Sequence, residues 1–498
     1  MKRNFGDLAR AAGVEPIRGT NTTVTSVASD SRKVAPRACF VAVPGFVTDG
    51  HEYIDRAVAA GAAAVIYEDP SYAPQIPESV ACARVLDSRK ACAAVSAAFW
   101  GEPSLDLTVV GVTGTNGKTT TVTLIDALMR GQGHLTGTLG TLGRVAAGAQ
   151  AAMAHTTPDS VEFQTTLADM RDSGVTHVTM EVSSHALSLH RVWGTKFDVA
   201  AFTGASRDHL DFYPSFDEYV DAKIRLFTEY ADLAKPQKEL RAVVNADDPS
   251  APRVLARAKC PVVTYGVDAD GCDVRALEPS FSTGGARFEI AAFGDREPVE
   301  LALVGRFNIY NALAAAAAGL VLGAPLREIV RDLASVATVP GRFETIDEGQ
   351  DFTVVVDYAH TPDGLENVLS AARQITEGRL ICAFGCGGDR DPGKRPMMGR
   401  AAAEHADRVV ITSDNPRSED PLEIIRQIQT GIEGAEVEVE PGRRRAIELA
   451  ISLCRTGDCL VIAGKGHEDY QIFADRTIHF DDREEARRAL RLRLGRDT

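Results

Sequence analysis

Little in this 498-residue chain points to a covalent framework, a membrane or a nucleic acid. The nine cysteines are scattered and none forms a Cys-x-x-Cys pair, so a disulfide scaffold and a thiolate metal knuckle are both unexpected. Cys382 and Cys386, four apart beside a glycine run, read as ordinary thiols of a reducing compartment. A formal net charge of -15 argues against a polyanion or an anionic membrane as the main partner, while leaving room for a local basic pocket that takes phosphates. The most apolar stretch, NALAAAAAGLVLGAP, is too short to span a bilayer and reads as a buried helix. The N-terminus, MKRNFGDLARAAGVEP, has no apolar h-region, so no cleaved signal is expected and the protein is placed in the cytoplasm, as a monomer handling small molecules.

Repeats and low-complexity linkers are also missing. Two proline-containing junctions, WGEPSLD and VATVPGRFE, instead divide the chain into three parts, roughly 1–100, 101–338 and 339–498. Each reads as α/β. CFVAV and AAAVIYE are short strands of the first part; LTVVGVT opens the second and runs through a glycine turn into the helical TVTLIDALMR. In the third, FTVVVDYA, RLICAFG, DRVVITS and DCLVIAG alternate with helical segments, which predicts a parallel, doubly wound sheet. Ligands of such sheets sit at the carboxyl ends of the strands, a rule that gathers the loops Asp357 to His360, Gly385 to Arg390, Asp414 to Arg417 and Gly464 to Glu468 into one place.

The sharpest local motif is VVGVTGTNGKTTTVTL. Gly114 and Gly117 let backbone N–H groups approach a triphosphate, Lys118 neutralises it, and Thr119 can ligate Mg²⁺ at the start of a helix. The spacing is compressed: the standard loop has glycine where this chain has Val112. Downstream, VTMEV ends in Glu181, Ser183, Ser184 and His185, and FTGASRDHLDFY carries Asp208 and His209; taken alone, either is as easily a polar turn. In FDEYVDAKIRLFTEY the residues Phe216, Tyr219, Val220, Phe227 and Tyr230 share one helical face with Lys223. A lysine there either snorkels to solvent or, held dry, becomes a neutral nucleophilic amine. ITSDNPRSEDP sets Asp414, which can hold an amine, beside Arg417, whose planar fork suits a carboxylate, just ahead of a helix start at Asp420, Pro421 and Glu423.

TGTNGKTT, MEVSSHAL, SRDHLD, NADDP, GRFNIYNALAA, VPGRFE, VDYAHTPDGLENVL, FGCGGDRDPGKRPMMG, SDNPR and GKGHE follow one another in the order found in the Mur ligases, and the chain resembles that family over nearly its whole length. The details resemble most the members that add meso-diaminopimelate. The resemblance implies a UDP-sugar-binding N-terminal domain, a central P-loop ATPase domain and a Rossmann-like C-terminal domain that binds the incoming amino acid. It implies an ATP- and Mg²⁺-dependent amide ligase of peptidoglycan precursor synthesis. In that reaction the D-glutamyl γ-carboxylate of UDP-N-acetylmuramoyl-L-alanyl-D-glutamate is activated as an acyl phosphate and attacked by an amine of meso-diaminopimelate.

By the same resemblance, Gly114, Thr115, Asn116, Gly117, Lys118, Thr119 and Thr120 would hold ATP, with Asn308 and Asn311 flanking the adenine and Arg342, Asp357 and His360 reaching across the domain gap. Lys118, Glu181, His209 and Lys223 would carry catalysis. Thr119 and Glu181 would hold one Mg²⁺, and His209 and Lys223, the latter as a carbamate formed with CO₂, would serve a second. Ser31, Thr156, Thr157, Ser183 and Arg191 match positions that hold the UDP-muramoyl dipeptide; Arg390, Asp414, Asn415, Pro416, Arg417, Gly464 and Glu468 match those that grip meso-diaminopimelate. The chain departs from the pattern at Gly204 and Ala205, at His155, at Leu189 and in the loop GFVTDG. A lysine-adding relative would be expected to change Arg417, a folylpolyglutamate synthetase gives no reason for SDSR or SDNPR, and a silent nucleotide-binding regulator would have no use for intact Lys118, Glu181, His209 and Lys223.

Overall fold

Branched apolar runs set the architecture, because strands buried on both faces need them. The structure, a computed structural model, describes residues 1–151, 153, 156–282, 284–434 and 436–496. Strands Ser26–Ala28, Ala38–Val41, Ala64–Tyr67 and Ala81–Arg84 pair in parallel, in chain order, as a small N-terminal sheet. Among the described residues the central sheet has eleven strands. At its heart Thr108–Thr113 lies parallel between His177–Glu181 and Val199–Phe202, so the glycine turn after Thr113, the Glu181 carboxylate and Thr203 all emerge at one edge. Beyond Val262–Gly266 the sheet continues into an antiparallel meander, Val274–Ser282, Gly285–Ala292 and Asp295–Leu301.

The third sheet places Thr353–Asp357, Cys459–Ala463, Leu380–Phe384 and Arg408–Ile411 side by side and parallel. Asp357 and Phe384 both register with Ala463, and Phe384 with Ile411, so the four polar loops expected to converge do leave adjacent strand ends. The helix after SDNPR begins at Pro421, with the Asp420 carboxylate accepting from Leu422 N at 2.9 Å.

The alanine-rich segment forms helix Arg306–Val321, with Ala312 to Ala318 wholly buried against the P-loop helix Lys118–Gly131. Small side chains let the two helices approach closely. Helix Phe216–Ala234 buries Tyr219, Val220, Lys223, Phe227 and Tyr230 as expected; Phe216 departs from the expected stripe because, at the first helical position, it is 38% exposed. Among the described residues no helix is long and apolar enough to cross a membrane, and the nine cysteines are free thiols.

One buried ion pair anchors the C-terminal sheet. Arg443 donates through Nε and Nη2 to Asp482 at 2.7 and 2.6 Å, with both side chains at 0% exposure, and its remaining N–H groups reach Ser413 O and Ala463 O. It thereby ties two strand ends to the C-terminal helix Asp482–Arg493. Removing one partner strands a charge, so Arg443→Met is expected to cost about 3–5 kcal/mol, while Arg443→Met with Asp482→Leu costs clearly less. Denaturant unfolding of the pair of variants measures this; equal losses would show the pair to be ordinary packing.

Candidate active site

The glycine turn is built for close approach. Gly114 has φ 158°, and a Cβ there would lie 1.9 Å from Thr203 Oγ1; Gly117 has φ 84°, and a Cβ there would lie 2.4 Å from Asn311 Oδ1. Lys118 folds back over the turn and donates to Gly114 O at 3.0 Å and Thr115 O at 2.8 Å. Thr119, buried in the first helical turn beside Thr120, donates to Glu181 Oε1 at 2.9 Å. Glu181 is 1% exposed and also accepts from Thr141 N and Thr141 Oγ1, a partner that no motif signalled. Asn308 and Asn311 are bonded to each other at 3.0 Å, and Asn308 also donates to Val304 O just before the helix, so local bonds fix both behind the turn.

Lys223 does not snorkel. It is 1% exposed, donates to Gly114 O at 2.8 Å and lies 4.4 Å from the Tyr219 ring centroid. Among the described residues no carboxylate is within ion-pair range of it, and burial together with the neighbouring Lys118 pushes its pKa well below the usual lysine value. Tyr219 in turn meets Thr115 Oγ1 at 2.9 Å. His209 occupies a left-handed turn at φ 56°, edge-on to His185, and burial takes its pKa down to about 3. The adjacent Asp208 has three basic side chains around it: His209 Nε2 lies at 3.3 Å, His360 Nε2 at 3.9 Å and Lys394 Nζ at 4.0 Å. Burial opposes its ionisation, but His209, His360 and Lys394 hold it below the usual carboxylate range.

The last two of those groups come from the C-terminal domain, and they are not alone. Arg342 Nη2 donates to Thr119 Oγ1 at 2.8 Å, stacks on Tyr358 and leaves a buried Nε without a partner. Asp363 accepts from Asn116 at 2.6 Å and from Ser206 at 3.2 Å, and Arg207 reaches Asp391 at 3.5 Å. Asp357 accepts from Phe343 N and Ala359 N, so it braces the loops that carry Arg342 and His360. Burial pushes the His360 pKa down to about 4 and the Asp357 pKa up. Asp363, Arg207, Asp391, Lys394 and Thr141 were not marked by the sequence, because their partners lie in another domain or at a distant strand end; Tyr219 was read only as part of the apolar stripe.

Beside Glu181, Thr157 Oγ1 donates to Glu181 O at 3.0 Å, Thr156 meets Thr141 at 3.4 Å, Ser183 caps helix Ser184–Ser188, and Arg191 donates to Thr157 O at 3.0 Å. These four form one cluster. Ser31 stands in the N-terminal domain, buried at the start of a 3-10 turn, and His155 lies outside the described residues.

In the SDNPR loop, Asn415 donates to Glu468 Oε2 at 2.9 Å and accepts from Lys465 Nζ and Ile472 N. A Cβ at Gly464 would lie 2.7 Å from Asp414 Oδ2, and one at Gly388 would lie 1.9 Å from Pro416 O. Arg417, at φ 52°, donates to Gly388 O at 2.7 Å, with Arg390 on the same glycine run. Burial raises the Glu468 pKa; at Asp414 burial is outweighed by Lys465 and Arg443, and the carboxyl stays below its usual range.

A glycine turn whose Thr119, bonded to Glu181, is reached by an arginine from a facing α/β domain defines a nucleotide-using enzyme that works in the gap between domains. Three family models match in order: "Mur ligase family, catalytic domain" over residues 23–100, "Mur ligase middle domain" over 112–319 and "Mur ligase, glutamate ligase domain" over 341–466. The UDP-N-acetylmuramoyl-L-alanyl-D-glutamate–2,6-diaminopimelate ligase of Halalkalibacterium halodurans is 45% identical over 97% of both chains, and that of Geobacillus thermodenitrificans is 44% identical over 98% of this chain and 99% of its own. A solved structure of a ligase of the same name is 32% identical, covers 99% of this chain and 100% of its own, and superposes with a TM-score of 0.71. A folylpolyglutamate synthase of Mycobacterium tuberculosis, 21% identical over 81% of this chain and 94% of its own (TM-score 0.62), shares the fold. The chain belongs to the Mur ligase family.

Asp363→Ala removes the bonds that join Asn116 and Ser206 to the C-terminal domain. It is expected to enlarge the radius of gyration in small-angle scattering without lowering the melting temperature of either domain. An unchanged scattering curve would show that these contacts do not hold the domains together.

Proposed function

We propose that the protein is an ATP-dependent amide ligase that adds meso-diaminopimelate to the D-glutamyl γ-carboxylate of UDP-N-acetylmuramoyl-L-alanyl-D-glutamate, a cytoplasmic step of peptidoglycan precursor synthesis. The observation that carries this is the SDNPR loop, which sets a buried carboxylate, Asp414, and a guanidinium, Arg417, at strand ends of the domain whose Arg342 touches Thr119 of the phosphate turn. The names of relatives at 44–45% identity over nearly the full length support it.

The backbone N–H groups of Gly114 to Thr120 and the Lys118 ammonium bind the triphosphate, and Arg342 follows the charge as phosphoryl moves to the γ-carboxylate. Thr156, Thr157, Ser183 and Arg191 hold the muramoyl dipeptide beside Glu181, so that the carboxylate lies in line. Asp414 and Glu468 take the distal ammonium of diaminopimelate, and Arg417 with Arg390 its distal carboxylate, which leaves the other amine free to attack. The tetrahedral adduct then expels phosphate, and an amide remains. Lysine lacks the distal carboxylate and leaves Arg417 unpaired, so it is rejected.

Thr119 and Glu181 fit a Mg²⁺ that is otherwise held by phosphate and water, since among the described residues no group of three or more His, Cys, Asp or Glu is arranged as a metal cage. When bound, Mg²⁺ neutralises the charge on the transferred phosphoryl group. Lys223 fits carbamate formation: it is buried, pairs with no carboxylate at ion-pair distance among the described residues, and burial beside Lys118 depresses its pKa, which favours the neutral, nucleophilic amine.

Phosphate release with the UDP-muramoyl dipeptide and ATP is expected with meso-diaminopimelate and not with L-lysine or without an amino acid. Preference for lysine would remove the role given to Arg417, and no turnover with either would favour a silent regulator. Arg417→Ala should raise KM for diaminopimelate on the order of tenfold to a hundredfold and leave KM for ATP alone; equal effects on both would make the loop structural. For Lys223, ¹³C-bicarbonate is expected to give a carbamate resonance that Lys223→Met abolishes. A spectrum identical in both proteins would remove the carbamate.

A further inference from the structure

The distal-ammonium pocket contains a cation that the substrate contacts above do not use. Lys465 has 0% side-chain exposure, its Nζ lies 3.1 Å from Asn415 Oδ1 and 3.1 Å from Glu468 Oε2, and it faces the Tyr470 ring with Nζ 5.3 Å from the centroid. Both acceptors belong to residues that line the pocket. Glu468 receives Lys465 Nζ and Asn415 Nδ2 on the same oxygen, Oε2, so that oxygen is pinned while Oε1 makes none of these bonds. Asn415 is turned by the same contact: its oxygen faces Lys465 and Ile472 N, which leaves its nitrogen for Glu468.

The buried charges can be counted. Arg443 and Asp482 form a two-bond pair and cancel. Asp414 and Glu468 then carry two negative charges against the single positive charge of Lys465, and His360, also near Asp414, is neutral at physiological pH. A surplus of one negative charge remains, in a place where an uncompensated charge is costly.

We infer that Lys465 is a positioning and specificity-determining residue: it pins Glu468 and Asn415 and leaves the pocket short of a single positive charge, the vacancy that the distal ammonium of the amino-acid substrate fills. This rests on assigning the SDNPR pocket to that substrate. The raised pKa of Glu468 agrees with a surplus that settles on it when no ammonium is present. With Lys465 lost, two carboxylates face each other and one takes a proton or turns away. With Glu468 alone neutralised, the vacancy disappears.

The test follows from the count. Lys465→Met and Glu468→Gln each disturb the balance, whereas the double variant returns it to a surplus of one negative charge. KM for meso-diaminopimelate, KM for ATP and melting temperature are measured for the three, with Arg417→Ala as a control for the pocket. Each single variant should raise KM for diaminopimelate by about tenfold or more while KM for ATP stays within about twofold, and the double should bind diaminopimelate better than either single. If Lys465→Met unfolds early, the comparison of the double with Glu468→Gln still decides. A double no better than Glu468→Gln, or one that recovers melting temperature but not KM, overturns the inference and makes Lys465 a structural ion. If Arg417→Ala also leaves KM for diaminopimelate unchanged, the pocket assignment fails and the inference falls with it.

Discussion

The Gly114 carbonyl accepts two lysine side chains at once, the half-buried Lys118 at 3.0 Å and the fully buried Lys223 at 2.8 Å. Two ammonium groups on one oxygen in a low-dielectric site repel each other, which favours the neutral form of an amine there. Burial depresses both lysines; Lys118 adds to the depression at Lys223, and nearby carboxylates offset part of it at each, Glu181 and Asp208 at Lys118, Asp208 and Asp248 at Lys223. The result is a glycine turn that holds two lysine amines, both depressed in pKa, on one carbonyl. Much of the surrounding structure serves this arrangement: the glycines that keep Cβ atoms out of the turn, the alanine helix that presses behind it, and Tyr219, which covers Lys223 and bonds Thr115.

The tripeptide Ser206-Arg207-Asp208 carries the consequence to the C-terminal domain, since each of its side chains meets a different group there: Asp363, Asp391, and the pair His360 and Lys394. His209 is next in the chain, held in a left-handed turn that the peptide N–H bonded to Asp208 helps to define. Docking of the C-terminal domain and the placing of His209 are therefore two ends of the same short segment. Arg342 adds a parallel link, because its bond to Thr119 reaches the first helical turn after the glycine loop.

At the far side of the cleft the same logic of charge appears with opposite sign. Strand ends at Ile411 and Ala463 bring Asp414 and Gly464 together, and the missing Cβ of Gly464 gives the Asp414 carboxylate its room. Arg417 leaves this acidic patch through its positive φ and bonds to the glycine run after Phe384. An acidic side and a basic side are thus separated by the turn of a single short loop.

Much was legible in the chain itself. Strands such as Thr353–Asp357 and Leu380–Phe384 follow from unbroken apolar runs, the helix start at Pro421 from its capping residues, and the phosphate turn from glycine, lysine and threonine after a strand, because each depends on neighbours within a few residues. The meander Val274–Leu301 was not, since its residues alternate weakly around the bulge between Leu277 and Ser280. Nor were Asp363, Asp391, Thr141 or the buried state of Lys465. Local pattern alone determined which loops carry polar chemistry and that Lys223 lies on an apolar stripe. Only the tertiary structure decided that this lysine stays dry, that Asp208 is ringed by three basic side chains, and that Lys465 is locked between Asn415 and Glu468. Burial and charge compensation are sums over residues far apart in sequence, and a linear pattern does not contain them.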